Sequence, residues 1–157
     1  MKFLEKDLED IIYSTPRESL SERGLDISGK MYRQLRIGNY GIADLVTVQK
    51  NYIEAPWGLE HEVTITVYEL KKGLVNVETF LQAVRYSHGI KSFMQQRFDL
   101  NVDVDIVLIG SSIDNYGECG FIPNIFNNIK YFTYKYNYNG ITFDGLNLTM
   151  LEEGFGL

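Results

Sequence analysis

Glu69 and Lys71 close the run Val63-Thr64-Ile65-Thr66-Val67-Tyr68. Alternate side chains of a strand share a face, so a carboxylate and an ammonium follow Val63, Ile65 and Val67 on the side that begins as core. A lone Glu-x-Lys at a strand end is ordinary solvated chemistry. The segment 41–48 changes the balance, because it also reads as a strand and its Ile42, Asp44, Val46 and Val48 share a face. Two strands, each with an acid on a mainly apolar side, are hard to explain as packing, since an unpaired buried carboxylate costs several kcal/mol or more. A bound cation would offset that cost.

The elements that must position these residues fit one domain spanning 1–157. With 157 residues and 45% hydrophobic side chains the chain can bury a real core but is too short for two domains of usual size. Cys119 is the only cysteine, which excludes an internal disulfide and a cysteine-based zinc site and suits a reducing cytoplasm. The N-terminus is charged from the outset, so neither a signal peptide nor a membrane span is expected there. A net charge of −6 argues against nonspecific coating of nucleic acid. Lys30, Arg33 and Arg36 precede the Asp44 strand, and Arg85, Lys91 and Arg97 follow Lys71; converging at the Glu69 end, they would make a phosphate-binding rim.

Phe3 to Tyr13 reads as a helix with a Leu4, Leu8, Ile11, Ile12 stripe flanked by Glu5 and Glu9. Pro16 interrupts it, and Arg17 to Arg23 forms a short helix closed by Gly24. Strands follow over Tyr32–Ile37 and Tyr40–Gln49, turning at Gly38-Asn39. Residues 51–58 read as a long mixed connection with Trp57 packed onto the body, followed by a strand starting at His61. Asn76 caps a helix from Val77, with Val77, Phe80, Leu81 and Val84 buried. Gly89 shifts the phase to Ile90, Phe93, Met94 and Phe98 and implies a bend or break. The run Val102–Ile109 is a strand covered on both faces, as inside a parallel sheet, with the helix before it as the crossover. A further helix is expected over 121–129, then a strand over Lys130–Tyr138 turning at Asn139-Gly140 into Ile141–Phe143. A loose acidic tail begins at Asn147.

Taken in order, a helix, a meander with Gly41-Ile42-Ala43-Asp44 on one strand and Glu69-Leu70-Lys71 on the next, and Gln82-x-x-x-Tyr86 on the following helix resemble the PD-(D/E)xK nuclease superfamily. Within it the chain looks most like the catalytic domain of NucS-type DNA endonucleases, through Glu5-Lys6-Asp7-Leu8-Glu9-Asp10. The resemblance spans about residues 3–110. It implies an α/β, restriction-endonuclease-like core, a mixed sheet flanked by helices in the order αβββαβ, followed by a helix and a C-terminal strand or hairpin. By that resemblance Asp44 and Glu69 bind the metal, Glu5 completes the site, Lys71 is catalytic and Gln82 is the accessory glutamine. Arg33 is a weaker match to an arginine preceding the Asp strand. NucS-type enzymes carry a separate N-terminal domain for dimerisation and DNA binding, which is not found in these residues, so a homodimer or a partner protein is expected to supply the grip.

Asp44 and Glu69 offer the hard oxygen ligands that Mg2+ or Mn2+ prefers, and such an ion makes hydroxide available for phosphodiester hydrolysis. Lys71 can orient the water and offset charge on the phosphate, and is not assigned as the base. Gln82 can hydrogen-bond the water, while Arg33, Arg85 and Tyr86 face the substrate. The expected function is a metal-dependent nuclease, a cytoplasmic DNA endonuclease. The alternative is a non-catalytic nucleic-acid-binding or protein-interaction module on the same fold. A third reading makes the Tyr131–Tyr138 aromatics the interface of a structural or inhibitory protein.

Overall fold

A computed structural model of the chain describes residues 3–114, 119–122 and 126–146. The strand at its centre, β5 (Asp103–Gly110), is apolar on both faces, as a strand must be when both faces are covered. It lies parallel to β3 (Gly58–Leu70) on one side and to β7 (Ile129–Asn137) on the other. Antiparallel neighbours extend the sheet outward: β2 (Gly41–Ala55) and β1 (Lys30–Ile37) beyond β3, and β8 (Gly140–Leu146) beyond β7. The sheet thus has six strands in the order β1-β2-β3-β5-β7-β8. Two short strands, β4 (Leu74–Val75) and β6 (Ser112–Ile113), pair in parallel beside it.

Each face is sealed by helices. Leu8 and Ile12 of α1 (Glu5–Ser14) and Leu20 of α2 (Arg17–Glu22) bury against Leu45, Tyr68, Leu70, Val107 and Ile109. On the other face Phe80, Ala83, Tyr86 and Ile90 of α3 (Val77–Phe98) cover Val46, Ile65, Val67, Val104 and Ile106. Asn76 starts α3 in a reciprocal cap: its Oδ1 accepts from the Thr79 N–H at 3.2 Å, and its own N–H donates to Thr79 Oγ1 at 3.4 Å. Because α3 is the crossover between parallel strands, it starts beside the C-terminal end of β3 and ends beside the start of β5.

Several expectations are corrected. Residues 51–58 are not a long connection: β2 runs to Ala55, β3 starts at Gly58 and not at His61, and only Pro56 and Trp57 turn between them. Trp57 does not pack on the body but stands 75% exposed. Gly89 does not break α3, which is continuous over Val77–Phe98. It is needed for closeness instead, since a Cβ there would meet Ile37 Cγ2 and Tyr40 Cδ2 at 2.7 Å each. Leu81, Phe93 and Phe98 are exposed rather than buried. Of the helix expected over 121–129, residues 123–125 lie outside the described residues, and Ile129 already belongs to β7. The acidic tail from Asn147 also lies outside them. Among the described residues no helix is long and apolar enough to cross a membrane.

Candidate active site

The ladder between β2 and β3 ends at the pair Leu45–Tyr68. Beyond it the strands part, and side chains take over from backbone partners. Asp44 Oδ2 accepts from the Leu70 N–H at 2.9 Å, and Glu69 Oε1 faces the Asp44 N–H at 3.4 Å. Two carboxylates therefore meet where the sheet opens, each tied to the other's strand.

Asp44 reaches this position through a break in strand alternation. Ala43, not Ile42, joins Val46 in the core under α3, and Ile42 is 47% exposed, so the expected shared face of Ile42, Asp44 and Val46 is not what forms. The break has a counterpart on β1, where Arg33 pairs with Leu45 and Leu35 with Ala43 while Gln34 and Asp44 are skipped. Gln34 holds φ at +50°, uncommon for a residue with a side chain. Its amide donates to Glu9, whose carboxylate also accepts from Arg33 Nε at 3.0 Å. Arg33 pairs with Asp10 as well. Helix α1 is thereby clamped to β1 beside Asp44, and a cavity of about 480 Å3 opens there, lined by Glu5, Lys6, Glu9, Arg33, Gln34, Asp44 and Leu70.

Backbone bonds hold the segment carrying Lys71 on every side. Its N–H donates to Ile109 O at 2.8 Å, the Lys72 N–H donates to Glu5 Oε2 at 2.9 Å, and the Tyr134 hydroxyl donates to Lys72 O at 2.5 Å. Lys71 makes no ion pair among the described residues, and its charge acts on both Asp44 and Glu69. From α3, Gln82 Nε2 donates to the Tyr86 hydroxyl at 2.8 Å. Tyr86 is buried against Gly41, where a Cβ would come within 3.0 Å of the hydroxyl, so glycine at that position lets the helix approach β2.

Burial first and the Asp44 charge second push the Glu69 carboxyl up to about 8, against the Asp44 N–H bond and Lys71, which lower it. Asp44 is also raised, first by burial and then by the charges of Glu9 and Glu5, against the Leu70 N–H bond and Lys71, which lower it. Burial likewise raises the Tyr86 hydroxyl. Two adjacent carboxyls resist ionisation even with the Lys71 charge beside them, and a hard divalent cation held by one or two carboxylates with waters fits that donor set. No group of three or more His, Cys, Asp or Glu side chains stands ready as a metal cluster among the described residues, so water would complete the coordination.

The structure thus brings together Asp44, Glu69, Lys71 and the Gln82–Tyr86 pair. Glu5 stands at the edge, its charge felt by both acids while its carboxylate holds the Lys72 N–H. Arg33 is near Asp44 but engaged by Glu9 and Asp10, and Arg85 is exposed on α3 next to Tyr86. The expected rim of cations does not gather: Arg97 closes α3 at the opposite end, and Lys30 pairs with Val48 well below Asp44. Sequence reading missed Glu9 and Gln34. Glu9 is 6% exposed, and its signal was its place one turn after Glu5 on the same helix side. Arg33→Ala is expected to lower the urea-denaturation midpoint, because the buried Glu9 carboxylate loses its charged donor; an unchanged midpoint would show the clamp to be incidental.

Comparison with known proteins gives the fold a reference point. The structure is similar to the crystal structure of a repair endonuclease from Pyrococcus abyssi, with a TM-score of 0.51 and 18% identity. The match covers 83% of this chain and 46% of that one, so the chain spans about half of its length. No protein-family model matches the sequence, and no curated protein does. The likeness shows a nuclease-like fold, a mixed α/β sheet flanked by helices.

Proposed function

We propose that the chain is a metal-dependent nuclease of the PD-(D/E)xK kind that hydrolyses phosphodiester bonds in DNA and cuts internally. The observation that carries this is the meeting of the Asp44 and Glu69 carboxylates where β2 and β3 part, with Lys71 fixed beside them. A fold shared with a repair endonuclease supports it.

Mg2+ or Mn2+ supplies acidified water when bound, which is the source of the attacking hydroxide. Asp44 and Glu69 would hold the ion, with Glu5 at the edge of the site adding its charge. Lys71 orients the attacking water and offsets charge developing on the phosphate. Gln82, kept in place by Tyr86, hydrogen-bonds the water or a carboxylate. Arg85, exposed and without an ion pair among the described residues, would meet a phosphate, and Arg33 would do so only by sharing its guanidinium with Glu9 and Asp10.

The test is a panel of labelled duplex, branched, mismatched and single-stranded DNA, with RNA counterparts, incubated with Mg2+, Mn2+ or chelator. Cleavage that needs the metal and is lost in Lys71→Ala is the expected result. Binding without cleavage under every condition would make the chain a non-catalytic module instead.

A further inference from the structure

The last rungs that β2 and β3 share with the rest of the sheet are Lys30–Val48 and Thr64–Asp103. Beyond them the two strands continue alone through residues 49–63, forming a two-stranded arm at the end of the sheet away from Glu69. Trp57 at its tip lies about 40 Å along the chain of β3 from Glu69 at roughly 3.3 Å per residue. An isolated ribbon is marginal in water, yet this one displays Trp57 and Ile53 at 75% and 45% exposure beside Glu60, and Tyr52 and Leu59 at 67% each on its other face. Large apolar side chains in a cluster of this kind mark a surface that is covered in use.

The charges of the arm narrow what can cover it. Glu54, Glu60 and Glu62 stand against Lys50 alone. Such a ribbon repels a phosphate backbone, and two arms laid together on the face of Glu60 and Glu62 would set acid against acid. Elsewhere on the described surface, the C-terminal half of α3 has the opposite character. Phe93 and Phe98 are 57% and 56% exposed, with ring centroids 6.0 Å apart, edge to face. Arg97 lies one turn from Phe93, Lys91 lies two turns before Phe98 on its side of the helix, and both cations are exposed and make no ion pair among the described residues. An acidic aromatic ribbon and a basic aromatic helix end on one chain are complementary.

We propose that the arm of one copy docks on the C-terminal half of α3 of a second copy, and reciprocally, so that two contacts close a two-fold dimer. The contact uses the face of the arm that carries Ile53, Glu60 and Glu62, with Trp57 held to it by its Nε1 bond to Glu60: Trp57 and Ile53 cover Phe93 and Phe98, while Glu60 and Glu62 meet Lys91 and Arg97. The proposal is independent of the nuclease reading, because Asp44, Glu69 and Lys71 lie at the other end of the sheet and take no part in the contact.

Light scattering after gel filtration at micromolar concentration tests it, with circular dichroism as the check that each variant is folded. The wild-type chain is expected at twice its chain mass, and Trp57→Ala/Ile53→Ser at half of that. Glu60→Lys/Glu62→Lys alone and Lys91→Glu/Arg97→Glu alone should each be monomeric. Mixed in equal amounts they should recover the dimer mass, since one reversed pair then meets the other and the remaining contact is native. A monomeric wild-type chain, a dimer that survives either charge reversal, or a mixture that stays monomeric overturns the proposal; the last leaves the arm to a different, basic protein.

Discussion

Asp44→Asn and Glu69→Gln will each abolish metal-dependent cleavage while leaving the fold intact or more stable. An ion held at a developing charge contributes several kcal/mol to the transition state, and each 1.4 kcal/mol is about tenfold in rate, so loss of either ligand should lower turnover about 1,000-fold or more. Neither substitution removes the acceptor oxygen that faces the Leu70 or Asp44 N–H, so the partition of β2 from β3 survives. Each removes a charge that burial disfavours. Initial rates and urea midpoints on the same preparations check both halves. A variant that cuts at the wild-type rate places the site elsewhere. Lys71→Ala gives the matching contrast: a loss of about 100-fold or more with Mn2+ affinity retained by calorimetry, since this side chain acts on water and phosphate and not on the ion. Lys72→Ala should cut nearly normally, because Lys72 contributes its backbone N–H to Glu5 and its carbonyl to Tyr134.

Much of this arrangement is legible in the sequence because it rests on periodicity. The unbroken apolar run of β5 required cover on both faces, and a parallel partner required the α3 crossover; both are found. Asn76 announced the start of α3 through a side chain that can cap only a helix end. What periodicity could not carry is any position where the backbone departs from it. At Asp44 the alternation slips, so Ala43 takes the core place expected for the Ile42 face, and the slip depends on Gln34 across the ladder adopting φ +50°. Nothing in the order of residues 30–48 states that two separate strands will skip the same rung. Gly89 was misleading for a related reason. A glycine within a helix signals weakness when only the helix is considered, whereas here the missing side chain admits Ile37 and Tyr40 from outside it. The arm was hidden by its own composition, since Asn51, Pro56 and Gly58 suggest a loop and only the Tyr52–His61 and Ile53–Glu60 pairings reveal strands. Arg33 shows the limit for function: residue type suits phosphate, but the carboxylates that occupy it come from Glu9 and Asp10, more than twenty residues earlier.

The largest stability effect should come from pH in the absence of divalent cations. Glu69 titrates near 4.5 in the unfolded chain and is pushed up to about 8 in the fold, so between these values the folded protein holds a proton that the unfolded chain has released. The unfolded state therefore binds fewer protons, and stability falls as pH rises. The favourable contribution is fully present below about pH 4.5 and is lost as pH climbs through 8, with Asp44, raised in the same direction, adding to it. Over this window a shift of that size corresponds to a few kcal/mol. Urea denaturation of the chelated protein at intervals from pH 5 to 8.5 should show the decline, and Glu69→Gln should flatten it, because an amide has no proton to hold. Mn2+ added at pH 8 should raise the wild-type midpoint toward its pH 5 value and leave Glu69→Gln nearly unmoved, since an ion that binds only the folded carboxylates stabilises in proportion to its excess over its dissociation constant. A wild-type profile parallel to that of Glu69→Gln would mean that the carboxyl ionises in the fold without penalty, and that the gap between β2 and β3 holds no uncompensated charge for a cation to answer.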